Sequence, residues 1–388
     1  MTEVSADVMQ RERAEVGSYE DIAAAARRTT GMEDFGGDAH EEGLRILVDD
    51  LNSPEAGLTG RGNYFQRSEV KSALVGRLLT QAQFNARPEH ADVPIERPVF
   101  VMGLPRTGTT ALHRLLHADP MAQGLEMWIT QYPQPRPPRA TWESDPIFTA
   151  MQQAFSAHHV ASPEFLGIHY MDATSVEECW RLLRQTGKSN SYESLANVPR
   201  YTEWLAKQDW TDAYARHKQN LQLIGLNDPE KRWVLKNPSH MTALDALMAV
   251  YPDALVVHTH RDPVTCIASS CSLSAETTAG HSTTYVGETI GRTQLDLWSR
   301  AYAAFHEARP RYDQSQFVDV AFSDLRTDPL GVTRRVYEEF DLPWTPDVES
   351  AIRDIDRESK HGAAKPSHTY SLADYGLTDD EVRARFDR

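Results

Sequence analysis

Residues 99–120 read VFVMGLPRTGTTALHRLLHADP. The apolar run Val99–Met102 lacks alternation, as a strand covered on both faces does. Gly103-Leu104-Pro105 breaks it, and Leu112, Leu115 and Leu116 then recur at helical steps. A strand, a glycine turn and a helix start make an anion cradle. The first helical turn carries unpaired N–H groups, and the helix dipole adds partial positive charge there. Gly103-x4-Gly108 has the spacing of a nucleotide-phosphate loop, yet Thr109 stands where that loop carries lysine. Arg106 offers instead a permanent charge able to fork onto two oxygens, and Thr107, Thr109 and Thr110 add hydroxyls.

Outward from this unit, apolar runs at 98–103, 232–236, 254–259 and 317–321 read as strands. Helical patterns follow at 108–117, 239–250, 263–272 and 329–340. This alternation predicts an α/β, P-loop-like, three-layer fold with a central parallel sheet. Residues 1–95 read as a helical N-terminal region, ending near Pro88 and Pro94, and 96–388 as the α/β domain. A helical insertion at about 121–230 opens with QYPQPRPPRA and, with its border, holds six of the eight tryptophans. Those rings are either ordinary packing or an apolar wall for an organic acceptor.

A formal charge of −16 over 388 residues opposes a nucleic-acid or anionic-membrane role and disfavours a polyanionic polymer as substrate. No run is long and apolar enough for a transmembrane segment, and the polar N-terminus lacks a secretory pattern, so the cytoplasm is the default location. Three cysteines without CxxC or metal-ligand spacing read as buried thiols. ATP chemistry fits poorly, because the loop lysine is missing and no strand ends in a clear acidic metal partner.

The LPRTGTT loop resembles the 5′-phosphosulfate loop of sulfotransferases that use 3′-phosphoadenosine 5′-phosphosulfate (PAPS), whose members carry Lys or Arg at the position of Arg106. VVHTHRDPVTCIASS resembles that family's 3′-phosphate motif: Arg261 ends a strand and Ser269 follows eight residues later on a helix. A strand end aims its side chain at the carboxyl edge of the sheet, where α/β folds bind ligands. Asp262 caps that helix in this reading, with Pro263 opening it. A third element, HGAAKPSHTYSLADYGL, is similar to the C-terminal segment of bacterial members and makes Lys365, His368 and Tyr370 cofactor candidates. The glycine-rich basic segment of cytosolic animal members is absent there. The resemblance spans about 96–380, and the layout is similar to that of the larger actinobacterial sulfotransferases.

The resemblance implies sulfuryl transfer from PAPS to a hydroxyl or amine of an organic acceptor, a small molecule or glycolipid, with no obligatory metal. Arg106 and the helix N–H groups would stabilise charge on the leaving oxygen, and Lys236, ending a buried strand, would help hold the phosphosulfate. Two residues compete as the base. Glu126 in GLEMW lies where carbohydrate and bacterial members commonly place a glutamate, and it is preferred. His240 in KNPSH lies two residues off the Lys-Thr-His segment of cytosolic members. A small-molecule kinase or nucleotide hydrolase, and a non-catalytic module binding adenosine 3′,5′-bisphosphate, are the alternatives. Oligomeric state is open.

Overall fold

In the computed structural model, which describes residues 11–161, 172–361 and 371–387, the core is a five-stranded, all-parallel sheet. Its strands are β1 (Val99–Gly103), β2 (Ala122–Gln123), β3 (Arg232–Lys236), β4 (Leu255–His260) and β5 (Phe317–Ala321), in spatial order β2-β3-β1-β4-β5. β1 lies between β3 and β4, with Val99 opposite both Val234 and Leu255. The fold is therefore the expected three-layer α/β architecture. The two-residue β2 escapes the sequence pattern because it is too short to show a period.

Alternation along the strands divides the core. Val99, Val101, Val234, Val257 and Val320 pack against Leu112, Leu115 and Leu116 of the helix Thr109–His117 and against Val332 and Val336 of the helix Pro329–Glu339. Phe100, Met102, Leu235 and Val256 face the other layer, which includes the helices Thr211–Ile224 and Glu288–Ala308. The helix expected at 239–250 forms in two pieces, a 3₁₀ turn Pro238–Ala243 and a helix Leu244–Val250. Pro238 and the Asn237 side chain, which accepts from the Ser239 N–H at 3.3 Å, start the turn. Ala243, at φ −136° and ψ 44°, separates the two pieces.

The N-terminal region forms the helices Tyr19–Thr30, Glu41–Leu51 and Gly60–Ala86. It is fastened to the 180–205 part of the insertion. Buried Asp50 accepts from Arg200 Nε and from the Tyr201 N–H, both at 3.0 Å, and Arg77 donates to the Gln185 carbonyl at 3.1 Å. Trp128, Trp142, Trp210 and Trp233 are buried, and Trp128 meets Trp142 and Phe148 edge-on. All four rings belong to the packed core. Among the described residues no helix is long and apolar enough to cross a membrane, and the three cysteines are free and buried.

Candidate active site

The cradle forms where β1 ends against β4. Gly103, at φ 149°, lies so close to β4 that a Cβ on it would come 2.2 Å from the Thr259 carbonyl oxygen. Gly108, at φ 90°, precedes the helix Thr109–His117 in the left-handed region, and no side chain caps that helix start. Between them Arg106 is held at φ 70°, a strained conformation for a residue with a Cβ.

Two contacts fix this turn, and both come from the second motif. Arg106 Nε donates to Ser269 Oγ at 3.1 Å, and Arg261 donates to the Arg106 carbonyl at 3.1 Å. Ser269 lies on the helix Pro263–Thr277, whose start Asp262 caps by accepting from the Thr265 N–H at 3.2 Å. The two arginines and Ser269 thus share one corner at the carboxyl edge of the sheet.

The threonines separate by role. Thr107 is fully buried; its hydroxyl donates to the Leu104 carbonyl and pairs with Thr259 Oγ1, both at 2.6 Å. That hydroxyl serves the turn. Thr109 is buried at the helix start. Thr110 Oγ1 accepts from Lys236 Nζ at 3.2 Å. Alternation in β3 puts Lys236 on the face of Val234, beneath the cradle helix, where it is ion-paired with Glu178.

Glu178 is the acidic group that the sequence pattern missed. The Glu126–Val176 antiparallel bridge returns the chain to the sheet, and the Cys179 N–H donates to the Lys236 carbonyl at 3.1 Å. No local period announces that return.

Glu126 and His240 are placed elsewhere. Glu126 Oε2 accepts from Arg136 Nε at 3.2 Å, with both side chains under a tenth exposed. The pair lines a cleft of about 480 Å³ with His117, Trp142, Asn227, Asp228 and Lys231. His117 lies eight residues along the helix from Thr109, about 12 Å at 1.5 Å per residue, and 227–231 lead into the amino end of β3. The cleft therefore sits at the far end of the helix from the cradle. His240 is fully buried in the opposite layer, its Nδ1 2.7 Å from Tyr214 Oη and its ring edge-on to Phe100. Burial drives its pKa well below the usual imidazole value. Lys365, His368 and Tyr370 lie outside the described residues.

A phosphate-cradle turn joined to an arginine–serine helix on a parallel sheet is the arrangement expected of a sulfotransferase. The chain belongs to the sulfotransferase family, whose sequence profile matches residues 98–346. The crystal structure of sulfotransferase STF1 from Mycobacterium tuberculosis H37Rv is 51% identical, with TM-score 0.90 over 96% of this chain and 99% of that one. Sulfotransferase STF9 from Mycobacterium avium is 30% identical, with TM-score 0.87 over 97% of this chain and 96% of that one. Omega-hydroxy-beta-dihydromenaquinone-9 sulfotransferase Stf3 of M. tuberculosis is 26% identical over 274 residues, 63% of each chain. The match thus spans less than two thirds of the length of that curated relative.

Proposed function

We propose that the chain is a PAPS-dependent cytoplasmic enzyme that transfers a sulfuryl group to the hydroxyl, or amine, of an organic acceptor. The observation that carries this reading is the convergence of Arg106, Ser269 and Arg261 at one corner of the sheet. Two arginines, a buried lysine and hydroxyls gathered on a chain of net charge −16 suit a ligand with several anionic groups. PAPS, when bound, supplies the sulfuryl group.

The chain's residues divide the remaining work. Arg106, the N–H groups of Thr107, Gly108, Thr109 and Thr110, and the Thr110 hydroxyl hold the phosphosulfate end. Arg261 and Ser269 hold the 3′-phosphate. Fixed donors at the cradle stabilise charge as it grows on the leaving oxygen. Lys236 bonds to both Thr110 and Glu178, so it links the donor side to the acceptor side. Glu178, its side chain 27% exposed, is assigned the acceptor proton in place of Glu126 and His240, because it alone of the three pairs with a cradle residue. The mycobacterial relative named for a hydroxylated menaquinone favours an uncharged, lipophilic alcohol as acceptor.

Calorimetry with adenosine 3′,5′-bisphosphate in metal-free buffer, beside ATP with Mg²⁺, tests the donor reading. Tight binding of the bisphosphate alone is expected; a preference for ATP with Mg²⁺ would transfer the chain to the kinase or hydrolase class. Mass spectrometry of lipid and metabolite extracts incubated with ³⁴S-labelled PAPS should show a product carrying the heavy sulfuryl group. Bisphosphate binding without any sulfated product would leave a binding module.

A further inference from the structure

An aromatic ring that belongs to neither anion motif lies between them. Phe322 directly follows β5 and opens the short helix Phe322–Thr327. The Arg261 guanidinium carbon stands 4.3 Å from the centroid of its ring. Phe322 Cδ2 is also 3.1 Å from the point a Cβ on Gly108 would occupy. The ring, with Leu325, therefore occupies the space that Gly108 leaves, and it forms the floor on which Arg261 lies. Among the described residues Arg261 has no carboxylate ion-pair partner; its guanidinium lies over this ring and donates to the Arg106 carbonyl.

An arginine side chain has large rotamer freedom, which binding an anion must freeze. Stacked on a ring and tied by one N–H to a carbonyl, the guanidinium is already ordered, and its remaining N–H groups are free to fork onto an anion. We propose that Phe322 is a positioning residue that gives the site its preference for a nucleotide bearing a 3′-phosphate, by holding Arg261 in its binding orientation. This rests on the reading of Arg261 as the 3′-phosphate arginine. Phe322 acts through Arg261, so its contribution belongs to the bisphosphate and disappears when the arginine is removed.

Calorimetry of adenosine 3′,5′-bisphosphate and adenosine 5′-monophosphate on the full chain tests it. In Phe322→Leu the bisphosphate should weaken about three- to thirtyfold, the range a cation–π contact spans, while the monophosphate changes less than about twofold. Phe322→Tyr, which keeps the π face, should restore the preference. In an Arg261→Ala background, Phe322→Leu should cost nothing further. If the leucine variant melts below the assay temperature, Phe322→Met takes its place with the same expectation. Equal losses for the two nucleotides would overturn the proposal, because the ring would then serve only the Gly108 turn. Unchanged discrimination in the leucine variant would overturn it as well. A wild-type chain with no preference for the bisphosphate would sink the donor reading itself; a wild-type preference that survives Phe322→Leu sinks this inference alone.

Discussion

Glu126 pairs with Val176 in a short antiparallel bridge, and Glu178 lies two residues beyond it in different surroundings. Glu178 pairs with Lys236 at the cradle; Glu126 neutralises buried Arg136 at the other end of the helix. Glu178→Gln should therefore lower turnover by about 10²–10⁴, the usual contribution of a positioned base, with bisphosphate affinity unchanged by calorimetry. Glu126→Ala should act on stability instead, by about 3 kcal/mol in urea unfolding. That is the low end for breaking a buried pair, because Asp228 and Gln123 still contact Arg136. Full turnover in Glu178→Gln together with collapse in the Glu126 variant would reverse the assignment. Arg261→Ala should weaken the bisphosphate about 10- to 100-fold, the worth of charge-assisted bonds, and the monophosphate far less. Equal losses for the two nucleotides would remove Arg261 from the 3′-phosphate.

At the scale of elements, the cradle depends on how closely β1 approaches β4. Gly103 combines φ 149° with a would-be Cβ 2.2 Å from the Thr259 carbonyl oxygen, an atom set by the sheet and unable to rotate aside. Gly103→Ala should cost about 2–4 kcal/mol in chemical denaturation, as overpacking against backbone does when strain is added. It should also impair nucleotide binding, because the turn carrying Arg106 starts there. A fully stable, fully binding alanine variant would show that the strands yield more easily than this geometry allows. Legibility in sequence also varied by element. The buried strands and their following helices announced themselves by composition and period. The helix after β3 did not, since the break at Ala243 reflects backbone angles that no residue pattern recorded.

Across the whole molecule, buried histidines tie stability to pH. His40 and His217 are fully buried, and desolvation lowers both to about 3; His240 is shifted the same way. Each has a tyrosine hydroxyl beside a ring nitrogen, from Tyr19, Tyr251 and Tyr214 respectively. Below the unfolded value of about 6.5 the unfolded chain binds protons that the folded chain refuses, so stability falls as pH drops. Each ring contributes a slope approaching about 1.4 kcal/mol per pH unit between its unfolded and folded values. Denaturant unfolding from pH 7.5 to 5 should show this decline, and a flat profile would contradict it. His240 also shows the reach of tertiary packing: it lies just past a strand end in sequence, and the turn carries its ring into the core.

By itself the sequence determined four of the five parallel strands, the glycine cradle, Arg106 and the Arg261–Ser269 spacing, because each is written within a single strand–turn–helix unit whose periods and turn residues are local. Tertiary structure alone decided that Glu178 meets Lys236, that Glu126 serves Arg136, that His240 is core and that Phe322 lies beneath Arg261. Those pairings join residues 10 to 61 positions apart through the packing of an insertion and of β5. Which way such a side chain faces depends on what the rest of the chain leaves open, and no local repeat encodes it.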